Sequence, residues 1–363
     1  MKRLISLLLA LFLSVFAFAA AAGETLPSCT ASVLKDEEFG AVMIGLTIDE
    51  FNATGFQYGD SCDLTFSNGR LLEDVPYYNG YYARTNEYLI VAYPGYPHPA
   101  AAIQNGPSLW KEIGCAEGDT VTVTLREAGK YLAVQESLNT VYSNDRADYP
   151  DDGTFANFRA MNGGKLRKDT FYRGASPVND SYLRAGTADR LIGEKGIRFI
   201  LDLADTKEKA EQYAAESRVK NFPALEEAGK AATLGLSASY RSEDFREKLA
   251  EGLREMMEHE GPYYIHCLEG KDRTGLVCLL LEALSGADET ELEADYMETY
   301  RNYYGIIPGS DRYDAVRDVK FRDIYDWMSG LGNGTPEDGA AEYLYGSGMT
   351  RDEVEQLKRF LTE

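Results

Sequence analysis

Two residues in this chain have the types and the spacing needed for chemistry on phosphate. Cys267 and Arg273 are separated by five residues and are followed by Thr274 and Gly275. A cysteine thiolate is a nucleophile at neutral pH when dipoles and positive charges stabilise it. A guanidinium can hold two phosphate oxygens at once through its planar fork. The pair therefore predicts attack of a cysteine sulfur on a phosphate ester.

The flanking segments predict how this loop is held. A short apolar run, Tyr263 to His266, precedes it, and a long apolar run, Leu276 to Leu284, follows it. A strand, a tight loop and a helix start in that order point backbone amides and the positive end of a helix dipole at an anion. We therefore expect the amides from Leu268 to Thr274 to form a phosphate cradle. The predicted substrate-binding residues are Leu268, Glu269, Gly270, Lys271, Thr274 and Gly275.

The run from His266 to Gly275 reads HCLEGKDRTG and resembles the signature loop of the cysteine-dependent phosphatases. The fuller pattern is similar to a bacterial tyrosine phosphatase family that includes secreted enzymes, some of which also act on phosphoinositides. Further motifs of that family are similar to Asn157-Phe158-Arg159 with Gly163-Gly164, Phe171 to Ala175, Gly196 to Leu203, and Asp295-Tyr296. The resemblance extends from about Gly153 to the C-terminus. It departs at Ala204, where the family has an arginine.

The chemistry and the resemblance together suggest roles for the loop residues. Cys267 would carry the phosphoryl group, and Arg273 would bind the phosphate and stabilise charge in the transition state. We expect the Thr274 hydroxyl to donate a hydrogen bond to the cysteine sulfur. His266 would either order the loop through its ring or be an ordinary histidine of the core.

A general acid is needed to protonate the leaving oxygen. Asp272 and Asp202 both match aspartates of the resembling family, and Asp272 is our first choice. Asp202 has a second interpretation, in which it only orients Arg273 or a loop amide. No cofactor is implied, and no metal is expected because the three histidines are scattered and lack ligand spacing.

Lys271 bears on the substrate, because a lysine inside the loop favours ligands with more than one phosphate. The alternative is a lysine that only faces solvent or pairs with Glu269. Protein phosphotyrosine is the first substrate expected, and a phosphoinositide or an inositol phosphate is the alternative. A hypothesis of another class is an inactive module that only binds phosphorylated ligands.

The N-terminus has the pattern of an export signal. Residues 1–22 combine a basic start, an apolar stretch and a small-residue cleavage site, so we expect a cleaved signal peptide and a protein outside the cytoplasm. An uncleaved anchor is the alternative. The formal net charge of −22 excludes nucleic acid as a natural partner and disfavours anionic membranes.

The rest of the chain divides into two predicted domains. Strand-like runs separated by Gly-containing turns predict a small all-β barrel or sandwich over residues 23–142, with one possible short helix from Pro99 to Gln104. Residues 143–153 are predicted as a linker. Residues 154–363 predict an α/β phosphatase domain, with a central sheet flanked by helices. Five cysteines allow at most one disulfide, among Cys29, Cys62 and Cys115.

Overall fold

The computed structural model describes residues 26–37, 39–237 and 239–363, so the predicted signal peptide lies outside the described residues. The N-terminal region is a closed seven-stranded barrel in the order β1-β2-β6-β5-β4-β3-β7. Its strands are β1 Ser28–Lys35, β2 Val42–Ile44, β3 Ser61–Phe66, β4 Leu71–Tyr78, β5 Tyr88–Val91, β6 Ala100–Ile103 and β7 Thr120–Glu127. Alternate residues of β7, namely Val121, Val123 and Leu125, are buried inside it.

The barrel region differs from the sequence prediction in two ways. The short helix expected from Pro99 to Gln104 is wrong, because Ala100–Ile103 is strand β6 and pairs with β2 and β5. Sheet pairing on both sides outweighs the helix propensity of its alanines. The region is also not all-β, since it contains the short helices α1 Ile48–Ala53, α2 Leu109–Ile113 and α3 Leu132–Leu138.

The segment predicted as a linker is packed against the C-terminal part of the chain. Tyr149 and Phe155 are both buried, and the guanidinium of Arg184 lies over their rings. Arg184 also donates hydrogen bonds to the carbonyls of Phe155 and Ser143, at 2.9 Å each. These contacts fix the connection between the barrel and the catalytic part.

The C-terminal region is a mixed α/β fold around a five-stranded sheet in the order β11-β10-β12-β9-β8, as expected for a central sheet flanked by helices. Strands β9 to β12 are parallel, and β8 is antiparallel to β9. The strands are β8 Arg159–Ala160, β9 Phe171–Gly174, β10 Phe199–Asp202, β11 Ala231–Thr233 and β12 Tyr263–His266. The helices are α4 Asp152–Ala156, α5 Ala185–Lys195, α6 Lys207–Ser217, α7 Asn221–Glu227, α8 Glu243–Met257, α9 Asp272–Leu284, α10 Glu289–Tyr304, α11 Asp311–Val316, α12 Arg322–Ser329, α13 Pro336–Tyr345 and α14 Arg351–Thr362.

Helices cover both faces of the central strand β12. Tyr263 and Ile265 pack in the core with helices α8, α9 and α14, whereas Tyr264 packs in a second core with α5 and α7. A strand buried on both faces reads as a continuous apolar run, which is how Tyr263 to His266 appeared in the sequence. The loop from Cys267 to Lys271 follows at its carboxyl end, where parallel sheets place their ligands.

Helix α12 joins the barrel to the catalytic part. The backbone amide and the hydroxyl of Thr85 donate to the two carboxylate oxygens of Asp323, at 2.7 and 2.8 Å. Arg84 forms an ion pair with Asp326 at 2.6 Å. No helix in the described ranges combines the length and apolar character needed to cross a bilayer.

Candidate active site

The predicted nucleophile lies where the sequence places it, at the start of the loop between β12 and α9. Cys267 is only 3% exposed, and all five cysteines are free thiols in the structure. Gly270 has a φ of +68°, and a Cβ there would come within 2.3 Å of the carbonyl oxygen of Gly174. Only glycine allows this approach. The loop is thereby held against the end of β9.

A buried ionic network lies directly beneath the loop. Arg173 on β9 donates to the Gly270 carbonyl at 3.1 Å and forms an ion pair with Asp295 on α10. The other oxygen of Asp295 accepts from Arg159 Nε at 2.9 Å, and Asn157 Nδ2 donates to the Gly270 carbonyl at 3.2 Å. Burial opposes ionisation of Asp295, but the two arginines outweigh it and lower its pKa. We call Asn157, Arg159, Arg173 and Asp295 the framework cluster.

Three short motifs of the sequence therefore meet at one place. Asn157-Phe158-Arg159, the β9 strand and Asp295-Tyr296 are far apart along the chain, yet together they support one carbonyl of the loop. The ring of Tyr296 lies so close to Gly275 that an added Cβ would be 2.9 Å from it. These motifs fix the shape of the loop from below.

A second buried group of polar side chains lies at the ends of β10 and β12. Asp202 Oδ1 accepts from the amides of Ala204 and Asp205, at 2.8 and 3.2 Å, whereas its Oδ2 has no hydrogen-bond partner in the part of the chain that the structure describes. Burial raises the pKa of Asp202 to about 7. His266 Nδ1 lies 3.8 Å from Asp202 Oδ1, and burial lowers the pKa of His266 to about 4, so the ring is neutral at pH 7.

Asp205 is a site residue that sequence reasoning missed. It is 7% exposed, and its Oδ2 is also without a partner among the described residues. Burial, and after it the Asp202 carboxylate, raise the pKa of Asp205 to about 6. Its position three residues after Asp202, beside the departure at Ala204, was the available signal. We call Asp202, Asp205 and His266 the strand-end cluster.

The remaining catalytic predictions occupy the first turn of α9. The Arg273 guanidinium donates to the carbonyl of Leu236 at 2.8 Å, in the segment between β11 and α8. The Asp272 side chain is 70% exposed at the helix start. The hydrogen bond expected from Thr274 to the sulfur is absent, because the buried hydroxyl has no partner within reach in the described residues.

The mouth of the loop carries paired charges and aromatic rings. Lys271 Nζ lies 3.3 Å from both a carboxylate oxygen of Glu269 and the hydroxyl of Tyr304, so the pairing with Glu269 considered from the sequence is present. Tyr142 donates to the Glu269 carboxylate, and Tyr303 donates to its backbone carbonyl at 2.7 Å. Burial opposes charge on Lys271, but neighbouring carboxylates outweigh it and raise its pKa.

A family model described as the tyrosine phosphatase family matches residues 154–363, more than half of the chain. The chain belongs to the tyrosine phosphatase family. The resemblance seen in the sequence is therefore confirmed, and the matched residues include the framework cluster, the loop and the strand-end cluster. No curated protein matches the chain.

Three solved structures are similar to this chain. An uncharacterized conserved protein from Thermotoga maritima is 16% identical with a TM-score of 0.24, over 26% of this chain and 35% of that one. The core catalytic domain of the PP-IP phosphatase SIW14 from S. cerevisiae is 16% identical with a TM-score of 0.26, and the match covers 46% of this chain and 85% of that one. TpbA from P. aeruginosa is 17% identical with a TM-score of 0.24, and the match covers 57% of this chain and 92% of that one. This chain thus spans about a third of the length of the Thermotoga protein.

Proposed function

We propose that this protein is an exported cysteine-dependent phosphatase that hydrolyses phosphate monoesters through a phosphocysteine intermediate. The observation that carries the proposal is the placement of Cys267, almost fully buried at the carboxyl end of β12, inside a loop supported at Gly270 by the framework cluster. Arg273 lies in the first turn of the following helix. This geometry suits an anion bound over the sulfur.

The reaction would take place in two steps. The Cys267 sulfur attacks phosphorus and the bond to the leaving oxygen breaks, while Asp272 gives that oxygen a proton. Water then attacks phosphorus, the phosphorus–sulfur bond breaks, and Asp272 takes a proton from that water, so it is protonated again for the next turnover. Arg273 exchanges the Leu236 carbonyl for two phosphate oxygens.

The solvent exposure of the two side chains favours Asp272 over Asp202 as the general acid. A proton donor must reach the bridging oxygen at the mouth of the loop. The Asp272 side chain is 70% exposed there, whereas Asp202 is fully buried and holds backbone amides of its own turn. We therefore assign proton transfer to Asp272 and a positioning role to Asp202. The neutral ring of His266 is buried next to it.

Protein phosphotyrosine is the first substrate that we propose. The rings of Tyr142 and Tyr304 lie 5.3 Å apart at the mouth, and aromatic walls suit a phenyl ring. A phosphoinositide or an inositol phosphate is the second candidate, which is favoured by the Lys271 ammonium beside the loop. An inactive module that only binds phosphorylated ligands is the alternative of another class.

Export and domain limits belong to the same proposal. We propose cleavage after residue 22, a barrel domain over residues 23–142, a connection at 143–153 and the phosphatase domain at 154–363. Mass spectrometry of the protein recovered from the culture medium or periplasm would test the cleavage. An intact N-terminus in a membrane fraction would support the uncleaved anchor instead.

The decisive experiment measures phosphate release under reducing conditions from phosphotyrosine peptide, phosphoserine peptide and inositol phosphates. Cys267→Ser should abolish release and retain substrate binding, because the serine hydroxyl is a poor nucleophile without an adjacent base. Cys115→Ser is the matched control, since Cys115 lies in the barrel region and should leave activity unchanged. Release that persists in Cys267→Ser would overturn the phosphocysteine mechanism, and no release from the wild type would favour the binding module.

A further inference from the structure

Glu269 is a carboxylate inside the loop that binds phosphate. It lies two residues after Cys267, and its side chain is half-buried, with 18% of its surface exposed. The loop attracts an anion through its amides and the following helix start, so a fixed negative charge in it opposes this attraction. The opposition grows with the number of negative charges on the ligand. A repulsive group of this kind is a means of discriminating between ligands.

Two side chains hold the Glu269 carboxylate in place. Lys271 Nζ lies 3.3 Å from its Oε1, and the Tyr142 hydroxyl donates a hydrogen bond to the same oxygen. Burial, and after it the Glu269 carboxylate, raises the pKa of Tyr142, so this phenol stays protonated and remains a donor. The carboxylate is thereby fixed at the mouth of the loop.

The ring of Tyr142 is itself held firmly. It stacks on the ring of Tyr303, with the centroids 4.8 Å apart, and the guanidinium of Arg184 lies 4.8 Å from its centroid. The Tyr303 hydroxyl donates to the backbone carbonyl of Glu269 at 2.7 Å. Tyr142 lies between α3 and α4, before residue 154, where the family match begins. Part of the support for Glu269 therefore comes from outside the matched residues.

The ion pair with Glu269 also balances the charge of Lys271. The side chains of this pair are 17% and 18% exposed, so solvent screens their attraction less than on an open surface. The ammonium has a second contact with the Tyr304 hydroxyl at 3.3 Å. The mouth therefore offers little unbalanced positive charge beyond Arg273, which suits a ligand with one phosphate group.

We propose that Glu269 is a specificity-determining residue that favours phosphotyrosine in proteins and repels substrates with a second phosphate group beside the first. Tyr142 is the positioning residue that keeps its carboxylate at the mouth. This inference rests on the proposed phosphatase function and chooses between its two substrate classes. The formal net charge of −22 acts in the same direction at long range, because it repels polyanions more than singly phosphorylated ligands.

The experiment compares kcat/KM for two substrates in the full-length mature protein. They are a phosphotyrosine peptide without acidic side chains and a soluble inositol bisphosphate with neighbouring phosphates. The variants are Glu269→Gln and Tyr142→Phe, alone and combined.

Each variant has a matched control. Glu260→Gln removes the same charge far from the site, because the Glu260 side chain is 87% exposed and precedes β12, at the opposite end of that strand from the loop. Tyr182→Phe removes a hydroxyl from the same group of rings, since the Tyr182 ring centroid lies 5.7 Å from that of Tyr142.

The measured quantity is the ratio of kcat/KM for the inositol bisphosphate to kcat/KM for the peptide. Glu269→Gln should raise this ratio by about fivefold or more, mainly through a lower KM for the bisphosphate, because a repulsive charge at close range is removed. Tyr142→Phe should raise it by about twofold, since only Lys271 then holds the carboxylate. The combined variant should show no rise beyond Glu269→Gln alone. Both controls should keep the wild-type ratio.

An unchanged or lower ratio in Glu269→Gln would overturn the proposal. Equal losses of kcat/KM on both substrates would show that Glu269 only supports the loop, and would overturn it as well. A rise in Glu269→Gln without any change in Tyr142→Phe would remove the positioning role of Tyr142.

Failure of the proposed function gives a different result, which is that the wild type turns over neither substrate. Isothermal titration of both ligands into Cys267→Ser, and into Cys267→Ser combined with Glu269→Gln, would then still test the role of Glu269. The ratio of the two affinities should shift toward the bisphosphate in the combined variant, and an equal ratio would overturn the proposal.

Discussion

The two buried polar clusters on either side of the catalytic loop are built on opposite principles. In the framework cluster, the Asp295 carboxylate is shared by Arg159 and Arg173, and Arg173 and Asn157 both donate to the Gly270 carbonyl. In the strand-end cluster, two carboxyl groups lie beside a neutral imidazole. Three of its polar atoms, on Asp202, Asp205 and His266, lack hydrogen-bond partners among the described residues, whereas in the framework cluster only Arg173 Nε does.

The difference shows which cluster keeps its charges near neutral pH and which cluster changes its protonation there. The pKa of Asp295 is lowered, so its charge and its contacts persist across physiological pH. The pKa values of Asp202 and Asp205 are raised to about 7 and about 6, so this side gains and loses protons near neutrality. A buried charge that has a partner of opposite charge holds its neighbours in place. Buried polar groups that lack hydrogen-bond partners instead change their protonation with their surroundings.

Removing the charge of the framework cluster should have the largest effect. Asp295→Asn removes the carboxylate that pairs with the buried Arg173 and the partly buried Arg159, and should lower the free energy of unfolding by about 3–5 kcal/mol. Guanidinium denaturation at pH 7 measures this loss. The control is Asp326→Asn, which breaks a half-exposed pair with Arg84 and should cost less than about 1 kcal/mol. Equal losses in the two variants would contradict the ranking.

Substitution of Asp272 and of Asp205 tests whether the loop or the strand-end cluster supplies the general acid. Asp272→Asn should slow hydrolysis of phenyl phosphate by about a hundredfold, because its poor leaving group needs a proton. Hydrolysis of para-nitrophenyl phosphate, which has a good leaving group, should change far less. Asp205→Asn is the comparison and should not show this difference between substrates. The reverse pattern would move the proton donor to the strand-end cluster.

The pH dependence of stability should expose the strand-end cluster. The pKa of Asp202 rises from 3.8 to about 7 on folding, so between these values the folded protein binds more protons than the unfolded chain. Its contribution to the free energy of unfolding is therefore complete at low pH and is lost as the pH rises through about 7. Asp202→Asn should flatten this decline by roughly 2–4 kcal/mol, at about 1.4 kcal/mol per pKa unit.

Denaturant unfolding at several pH values between 4 and 8 would measure this slope. Asp326→Asn is again the control, since that carboxylate is half-exposed and should leave the slope unchanged. An unchanged slope in Asp202→Asn would mean that Asp202 is ionised at neutral pH, and the contrast between the two clusters would then disappear.

The smallest effect is expected at the junction of the barrel with α12. Arg84→Ala removes an ion pair whose side chains are 37% and 49% exposed, so solvent screens it. The loss should be below about 1 kcal/mol by denaturant unfolding. Thr85→Val should cost more, because it removes a hydroxyl bonded to the partly buried Asp323. A larger loss for Arg84→Ala would show that charge holds this junction.

Local patterns predicted the elements of the site well. The strand β12 and the helix α9 follow from the two apolar runs that flank the loop in the sequence. The framework cluster was different. Its motifs were visible as resemblances, but the pairing of Arg173 with Asp295 joins residues 122 positions apart, and no local pattern encodes that contact.

The predictions that the structure contradicts failed for one shared reason, which is that tertiary contacts decide these features. The alanines of β6 favour a helix alone, and only the neighbouring strands make them a strand. Asp205 was overlooked because its burial depends on how the turn after β10 folds back toward His266. The Thr274 hydroxyl was assigned a partner from chemistry, whereas rotation around α9 decides where it lies. Side-chain direction is set by tertiary packing.

The closure of the N-terminal barrel has a consequence for assembly. Strand β7 pairs with both β1 and β3, and the remaining strands complete the ring, so the described barrel presents no free sheet edge. Proteins and fibrils that grow by adding a strand need such an edge. The closed barrel is thereby protected from edge-to-edge aggregation, and any partner of the barrel must bind its loops or its outward side chains.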